Sequence, residues 1–544
     1  MAIFWRWIRY TAVPDAGQIA VLCLPELLMR RPRFVIGLLM VGGAVVGLAC
    51  GQASPPAPVR PNVLVVVWDT VRADRMSLYG YERATTPHLD AWAKGARVYD
   101  DALSSAPITT SAHASMFTGL LPYQHEVDNQ HPRLADGHET LAELLAAAGY
   151  RSYLFSANPY VGPETGLAQG FERYENPRTP AFSEAVQALR ARKARPYIPP
   201  GKSPPHWAPY VAATGALGRD GLVAWLARSA QNAPYFAVLN YMEAHLPVVP
   251  DREYRERFMT PSQLRLSYTK PIVGMPVWFY TTGMQELDAA QVDAARATYD
   301  AAIAELDELF HQLLVSLEQG GWLENTLVIL TSDHGELLGE HHMWDHQFAV
   351  HEELLRVPLI LWNPERIVPG REPRPVMNLD LFQTVLELTG LVTSGSTRGP
   401  SSDGASGAAP GGVSLLHPLD ERLRLSEYPA PAGKFLDRVA AARPGFDRAP
   451  YDRSLRALRS RNFKYVWASN GDHALYDLST DAGEAHNLLG ERPELAEALR
   501  QDLRLHLRIN GEAGEGGGAA AFDAETHRML EALGYATDGA DADR

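Results

Sequence analysis

Six consecutive residues, Val63 to Trp68, are apolar and mostly β-branched, and the run ends at Asp69. A half-buried strand would alternate polar and apolar positions, so an unbroken run predicts a central parallel strand covered on both faces. Comparable runs occur at Tyr235 to Leu239, Leu327 to Leu330 and Val357 to Trp362. Between them, helical patterns cover His138 to Ala148, Asp220 to Gln231 and Ala289 to Glu318, the last closed by Gly320-Gly321. Strands alternating with helices predict an α/β doubly wound sheet with helices on both faces over residues 62–392, its ligand crevice at the carboxyl ends of the strands. Ala457 to Trp467 and Ala474 to Leu478 predict a small C-terminal antiparallel α+β subdomain over 414–510, with Pro493 to Leu507 a helix packed on it. The Ser/Gly/Ala/Pro-rich stretch 393–413 predicts a flexible loop, and 511–544 a linker and terminal helix. There is no internal repeat.

Residues 1–50 do not fit this pattern. Met29-Arg30-Arg31-Pro32-Arg33 is a positive segment before the apolar stretch Phe34 to Ala49, which at sixteen residues is short for a membrane span. Gly47-Leu48-Ala49-Cys50 resembles the lipobox of bacterial lipoproteins, with Gly47 where Leu is usual. The expectation is an exported chain, starting at Met29, anchored to the membrane by a lipid on Cys50 or by an uncleaved segment. It would face the periplasm or the exterior, after a Pro/Ala-rich linker over 51–61.

Composition narrows the chemistry. The chain has 544 residues, 64 acidic against 50 basic, and a net charge of −14, with no basic stripe. That excludes a nucleic-acid partner, because phosphate backbones reward clustered Lys and Arg. Two cysteines exclude a disulfide scaffold and multi-cysteine metal sites. A metal must therefore be held by Asp, Glu, His, Asn or hydroxyl groups.

Two strand ends carry such groups: Asp69, and Asp333-His334 after Thr326 to Ser332. Acids at the tips of buried strands are costly unless they meet a cation or a partner. A third element, Ala106 to Gly119, is a hydroxyl-rich loop entering a helix, whose N-terminus favours an anion.

With these in place the chain resembles the sulfatase-like branch of the alkaline phosphatase superfamily, from about Asn62 to the C-terminus. The resemblance rests on Asn62 to Asp69, Tyr79-Gly80-Tyr81, Ser115-Met116-Phe117-Thr118-Gly119 with Pro122 and His125, Ser332 to Glu336 with Gly339-Glu340-His341, and Glu352 to Leu359. Leu475-Tyr476-Asp477-Leu478 and the closing Met529 to Tyr535 extend it.

The resemblance implies metal-assisted attack on phosphorus or sulfur. Asp69, Thr109, Asp333 and His334 would hold one divalent ion, whether calcium, magnesium, manganese or zinc, with Thr109 at the nucleophile position and Thr110 its nearest rival. Sulfatases carry there a Cys or Ser that becomes formylglycine, which a threonine cannot. Thr70 stands where most have another metal-binding Asp, and Asn158 near where they grip sulfate. A threonine resembles instead the phosphodiesterases and envelope phospho-transferases of the superfamily. His113 replaces the motif arginine and supports the Thr109 loop; His245 and His346 are expected to face substrate. Glu243 with His245 is the candidate for a second metal, whereas His342 and His351 read as surface residues.

The expected activity is hydrolysis of a phosphoric or sulfuric ester on a small molecule, lipid or glycan. Proper sulfatase activity, phospho-transfer to envelope polymers, and non-catalytic binding of anionic glycans are the alternatives. The leaving-group pocket is expected in loops such as Lys193 to Gly215 and Arg252 to Met284. The oligomeric state is left open.

Overall fold

The strand β1 (Asn62–Trp68) lies at the centre of an eight-stranded sheet. The structure, a computed structural model, describes residues 60–194, 215–228, 233–392, 412–509, 520 and 522–532. The expected N-terminal anchor and most of the loop 393–413 lie outside them. The other strands are β2 (Arg97–Tyr99), β3 (Arg151–Ser156), β4 (Arg173–Glu175), β5 (Tyr235–Tyr241), β6 (Thr326–Thr331), β7 (Leu359–Trp362) and β8 (Gly370–Glu372). Their order across the sheet is β8-β2-β7-β6-β1-β5-β3-β4.

Side chains along β1 alternate between two cores, as a period of two requires. Leu64, Val66 and Trp68 face one and Val63, Val65 and Val67 the other, all essentially inaccessible. Each such side chain contributes about 1.5–3 kcal/mol relative to exposure. Four helices matter for the site and its walls: α1 (Thr109–Thr118), α2 (Gly215–Arg228), α3 (Ala289–Gln319) and α4 (Asp380–Leu388). The first core takes Leu217, Leu222 and Leu226 of α2 and Tyr299, Ile303, Leu306 and Phe310 of α3. The second takes Ala114, Met116 and Phe117 of α1 and Leu381, Phe382 and Val385 of α4. Apolar runs on both faces are thus explained by helices on both faces.

The register fixes where the site falls. Val67 pairs with Asn240 of β5 and with Thr331 of β6, all parallel, and Ser156 of β3 pairs with Asn240. The carboxyl ends of β1, β3, β5 and β6 therefore share one edge. In the expected run Val357 to Trp362 only Leu359–Trp362 is strand, and it runs antiparallel to both β6 and β2. An apolar run carries no direction.

A four-stranded antiparallel sheet follows: β9 (Arg424–Tyr428), β10 (Leu455–Ser460), β11 (Phe463–Ala468) and β12 (Ala474–Asp477). The helix α5 (Pro493–Ile509) packs Ala496, Leu499 and Leu503 against Leu425, Leu458 and Leu475. Strand β9 was not among the expected elements, and 457–467 is a hairpin of two strands. The stretch expected as loop, 252–284, instead holds three short helices, Arg252–Phe258, Pro261–Thr269 and Met275–Thr281. No helix among the described residues is long and apolar enough to cross a membrane.

Candidate active site

Asp69 directly follows β1, and its N–H donates to the Tyr241 carbonyl at 2.9 Å, so the strand geometry carries through to the residue. Its Oδ2 accepts from Asn240 Nδ2 at 3.1 Å and Asn158 Nδ2 at 3.0 Å, contributed by the neighbouring strand ends. Asp333, two residues past β6, accepts on Oδ1 from the backbone N–H of Thr70 at 3.1 Å and of His334 at 2.9 Å. The remaining oxygens, Oδ1 of Asp69 and Oδ2 of Asp333, are buried without a hydrogen-bond partner.

His334 completes the group. Its Nδ1 sits 3.0 Å from the Gly335 carbonyl, which only an Nδ1–H can satisfy, so the neutral ring presents its lone pair at Nε2. Donor atoms of Asp69, Asp333 and His334 lie within 4.8 Å of one another, and all three residues are fully buried. Two buried carboxylates with bare oxygens facing an imidazole lone pair would be strongly unfavourable by themselves. The donor set therefore fits a divalent cation. Burial pushes the Asp333 carboxyl above its usual range and His334 down to about 4, as expected where the compensating charge is a cation.

Thr109 is the first residue of α1, after Ile108 in extended conformation. Its Oγ1 lies 3.2 Å from His334 Nε2. All ten residues of α1 are buried, and Gly119 ends the helix at φ +71°. A Cβ at Gly119 would meet the Phe382 ring at 2.7 Å, so the position admits only glycine on both counts. His113, one turn on, donates from Nδ1 to the Thr109 carbonyl at 2.9 Å, and burial holds its ring neutral.

Across from Thr109, His346 Nδ1 is 3.1 Å from the Pro107 carbonyl, and its ring centroid is 4.5 Å from that of His334. His346 Nε2 lies 3.2 Å from Asp345 Oδ1. The same Asp345 oxygen accepts the His346 backbone N–H at 2.5 Å. Burial shifts both partners toward their neutral forms, Asp345 up to about 6 and His346 down to about 3. His245 closes the group, its ring 5.6 Å from His346 and its Nδ1 2.6 Å from the Leu246 carbonyl.

The structure thus gathers Asp69, Thr109, His113, His245, Asp333, His334 and His346. Glu243 does not join His245: its Oε1 accepts from the Gly215 N–H at 2.7 Å, and burial beside Glu305 raises it to about 7. The pair belongs to no three-residue donor group among the described residues, so the second-metal expectation there gains no geometric support. Thr70 acts through its backbone, at φ +60°, while its hydroxyl donates to the Asp69 carbonyl at 2.7 Å. Sequence reasoning did not find Asn240 or Asp345. Asn240 carried a signal, as an amide ending an apolar strand.

Residues 61–391 match the Sulfatase family model. The chain is 26% identical over 484 residues to arylsulfatase K of Xenopus laevis, covering 83% of each. It is 26% identical over 458 residues to choline-sulfatase of Rhizobium meliloti (strain 1021), covering 79% of this chain and 82% of that one. The crystal structure of a phosphonate monoester hydrolase of Agrobacterium radiobacter shares the fold, with TM-score 0.61 at 22% identity over 82% of this chain and 95% of that one. Family match, fold and buried strand-end cluster agree, and the chain belongs to the sulfatase family of ester hydrolases.

Proposed function

We propose that the chain is a metal-dependent hydrolase of phosphoric esters working through a covalent phospho-threonine at Thr109, exported and held at a membrane by its N-terminal segment. The observation that carries this reading is the placement of the Thr109 hydroxyl 3.2 Å from His334 Nε2, beside the bare oxygens of Asp69 and Asp333. Formylglycine chemistry needs a geminal diol, one oxygen to attack and the other to expel sulfate. Threonine has one hydroxyl, so its ester must be opened by attack at phosphorus or sulfur.

Asp69, Asp333, His334 and the Thr109 oxygen would hold the divalent ion, which would make the alkoxide accessible near neutral pH and offset charge on the phosphoryl oxygens. Thr109 Oγ1, its proton given up to solvent, would form the new O–P bond as the bond to the leaving oxygen breaks. A proton taken up by the Asp345–His346 pair, whose facing atoms are 3.2 Å apart, would pass to that leaving oxygen. Water would then attack phosphorus, losing its proton to the Asp345–His346 pair, and the Thr109–phosphorus bond would break, the threonine oxygen taking a proton from solvent to restore the hydroxyl. His113 keeps the Thr109 backbone fixed through both steps, and burial of α1 keeps bulk water from the nucleophile's inner side.

A sulfuric ester is the second reading, supported by relatives whose names are arylsulfatase K and choline-sulfatase. The test is turnover of aryl phosphodiesters, phosphomonoesters and sulfates with one common leaving group, on protein made without a formylglycine-generating enzyme. The expected result is phosphoester hydrolysis at least about tenfold faster, with acid-quenched enzyme phosphorylated at Thr109. Faster sulfate turnover overturns the reaction and leaves the fold untouched.

A further inference from the structure

A partly open cavity with about 470 Å³ of empty space has Leu246, Ile272, Tyr299, Leu338, Trp344 and Glu336 in its walls. It borders the site on several sides: Leu246 follows His245, Trp344 precedes Asp345 and His346, and the Tyr299 hydroxyl donates to the Thr70 carbonyl at 2.6 Å. Glu336 is fully buried, and neither of its carboxyl oxygens has a hydrogen-bond partner. The buried Trp344 Nε1 has none either. We propose that this cavity receives the leaving alcohol and that Glu336 binds a protonated amine carried on it, an inference that rests on the ester-hydrolase reading of the same site.

The chain offers the Glu336 carboxyl no partner of its own. Arg72 is close enough to act on it, but that guanidinium is taken by Asp74 at 2.7 Å, by Glu340 at 3.0 Å and by the Glu336 carbonyl at 3.1 Å. Lys270 lines the same cavity and is exposed. The donor group of Asp69, Asp333 and His334 does not include Glu336. Burial, with Asp345, Asp69 and Asp333 adding like charge, pushes the carboxyl well above its usual range. A positive donor brought beside it restores the charged form.

A buried carboxyl bare on both oxygens is costly, and what relieves it is a ligand with N–H donors and positive charge. A primary ammonium has three donors and can bond both oxygens. A quaternary ammonium has none and leaves them bare. The aliphatic walls of Leu246, Ile272 and Leu338 suit the methylene arm that joins the amine to the ester oxygen, and Trp344 Nε1 is a donor for an oxygen of the same molecule. The location suits a leaving group because Trp344 is the immediate neighbour of the Asp345–His346 pair, to which the leaving-group proton is assigned above.

The test is calorimetric titration of the metal-loaded full-length protein at neutral pH with three phosphonates that resist hydrolysis: aminoethylphosphonate, its neutral counterpart propylphosphonate, and the N-trimethyl form of the amine. The amine is expected to bind about tenfold or more tightly than the propyl compound, as a charge-assisted bond to a buried carboxylate allows. The trimethyl form should lose most of that advantage. Glu336→Gln, nearly the same in shape, should close the gap, with circular dichroism and bound metal as checks on the fold. Should no phosphonate bind, the phosphoryl reading fails, and the comparison is repeated with aminoethanesulfonate and propanesulfonate. An amine preference there that Glu336→Gln abolishes upholds this inference by itself. Equal binding of amine and propyl compounds, a preference that survives Glu336→Gln, tightest binding of the trimethyl form, or no binding in either series overturns it.

Discussion

The Thr109 hydroxyl and Nε2 of His334 meet at 3.2 Å across 225 positions of chain. One side chain comes from the first turn of a buried helix and the other from the end of a central strand. The contact depends on the register of β1 with β6 and on the seat of α1 against the same sheet. A hydroxyl positioned by the core cannot drift without cost to the fold.

Thr109→Ala is expected to lower turnover by about 10³-fold or more, because it removes the covalent route and leaves only positioning. Thr109→Ser should retain a measurable fraction. Thr110→Ala is the control for register, and steady-state rates of the three variants decide it. An active Thr109→Ala beside an inactive Thr110→Ala would shift the nucleophile by one residue.

Asn240→Ala should weaken metal binding by about 10–100-fold, since Asn240 Nδ2 shares the Asp69 Oδ2 oxygen with Asn158 and orients that carboxylate. Metal titration of the stripped protein measures it. At saturating metal the rate should return most of the way to wild type, a pattern that loss of a reacting group cannot give.

Gly335 directly follows Asp333 and His334, where the chain turns away from the cluster. Its backbone is not among the left-handed positions; the reason for glycine is that a Cβ there would sit 1.9 Å from the Glu353 carbonyl oxygen. Gly335→Ala should therefore destabilise by about 1–3 kcal/mol or more, as overpacking against backbone does. The urea midpoint should fall, and metal affinity with it. A midpoint equal to wild type would refute the close-approach account.

Asp101 joins the two sheets: its Oδ2 accepts from Arg424 of β9 at 2.6 Å and lies 3.7 Å from Arg459 of β10. Burial raises the carboxyl, but Arg424 outweighs it and holds the group below its usual 3.8. A depressed value in the fold means that the stabilisation is complete above about 3.8 and is lost as pH falls through the folded value. Asp101→Asn should cost about 2 kcal/mol at neutral pH. Unfolding curves of the two proteins should converge as the pH is lowered below about 4; a gap that widens in acid contradicts the pairing.

What could be read from the chain follows the physics of burial. Strands covered on both faces leave continuous apolar runs, so β1, β5 and β6 and the acids at the tips of β1 and β6 stood out. Strand β9 reads Arg-Leu-Ser-Glu-Tyr, all five residues buried, but its polar and charged side chains leave no apolar run to read. The direction of β7 depends on its neighbours and leaves no trace in four apolar residues. The helices over 252–281 are seven to nine residues long and two of them open on proline or a residue before it, which resembles loop punctuation. Asn240 shows locally only as an amide just after the apolar run Tyr235 to Leu239, whereas Asp345 acts through an unusual backbone angle, φ +78°, that no local pattern announces.

Every residue of α1 is buried, and the carbonyl of its first residue is clamped by His113 one turn along. The scaffold therefore behaves as a vice whose jaws grip the main chain at position 109 and leave the side chain as an interchangeable tool. Swapping the reagent at that point requires no movement of helix or sheet. Divergence in the chemistry of such a chain can thus proceed by single substitutions in the vice, while the choice of leaving group is remade independently in the segments around the crevice.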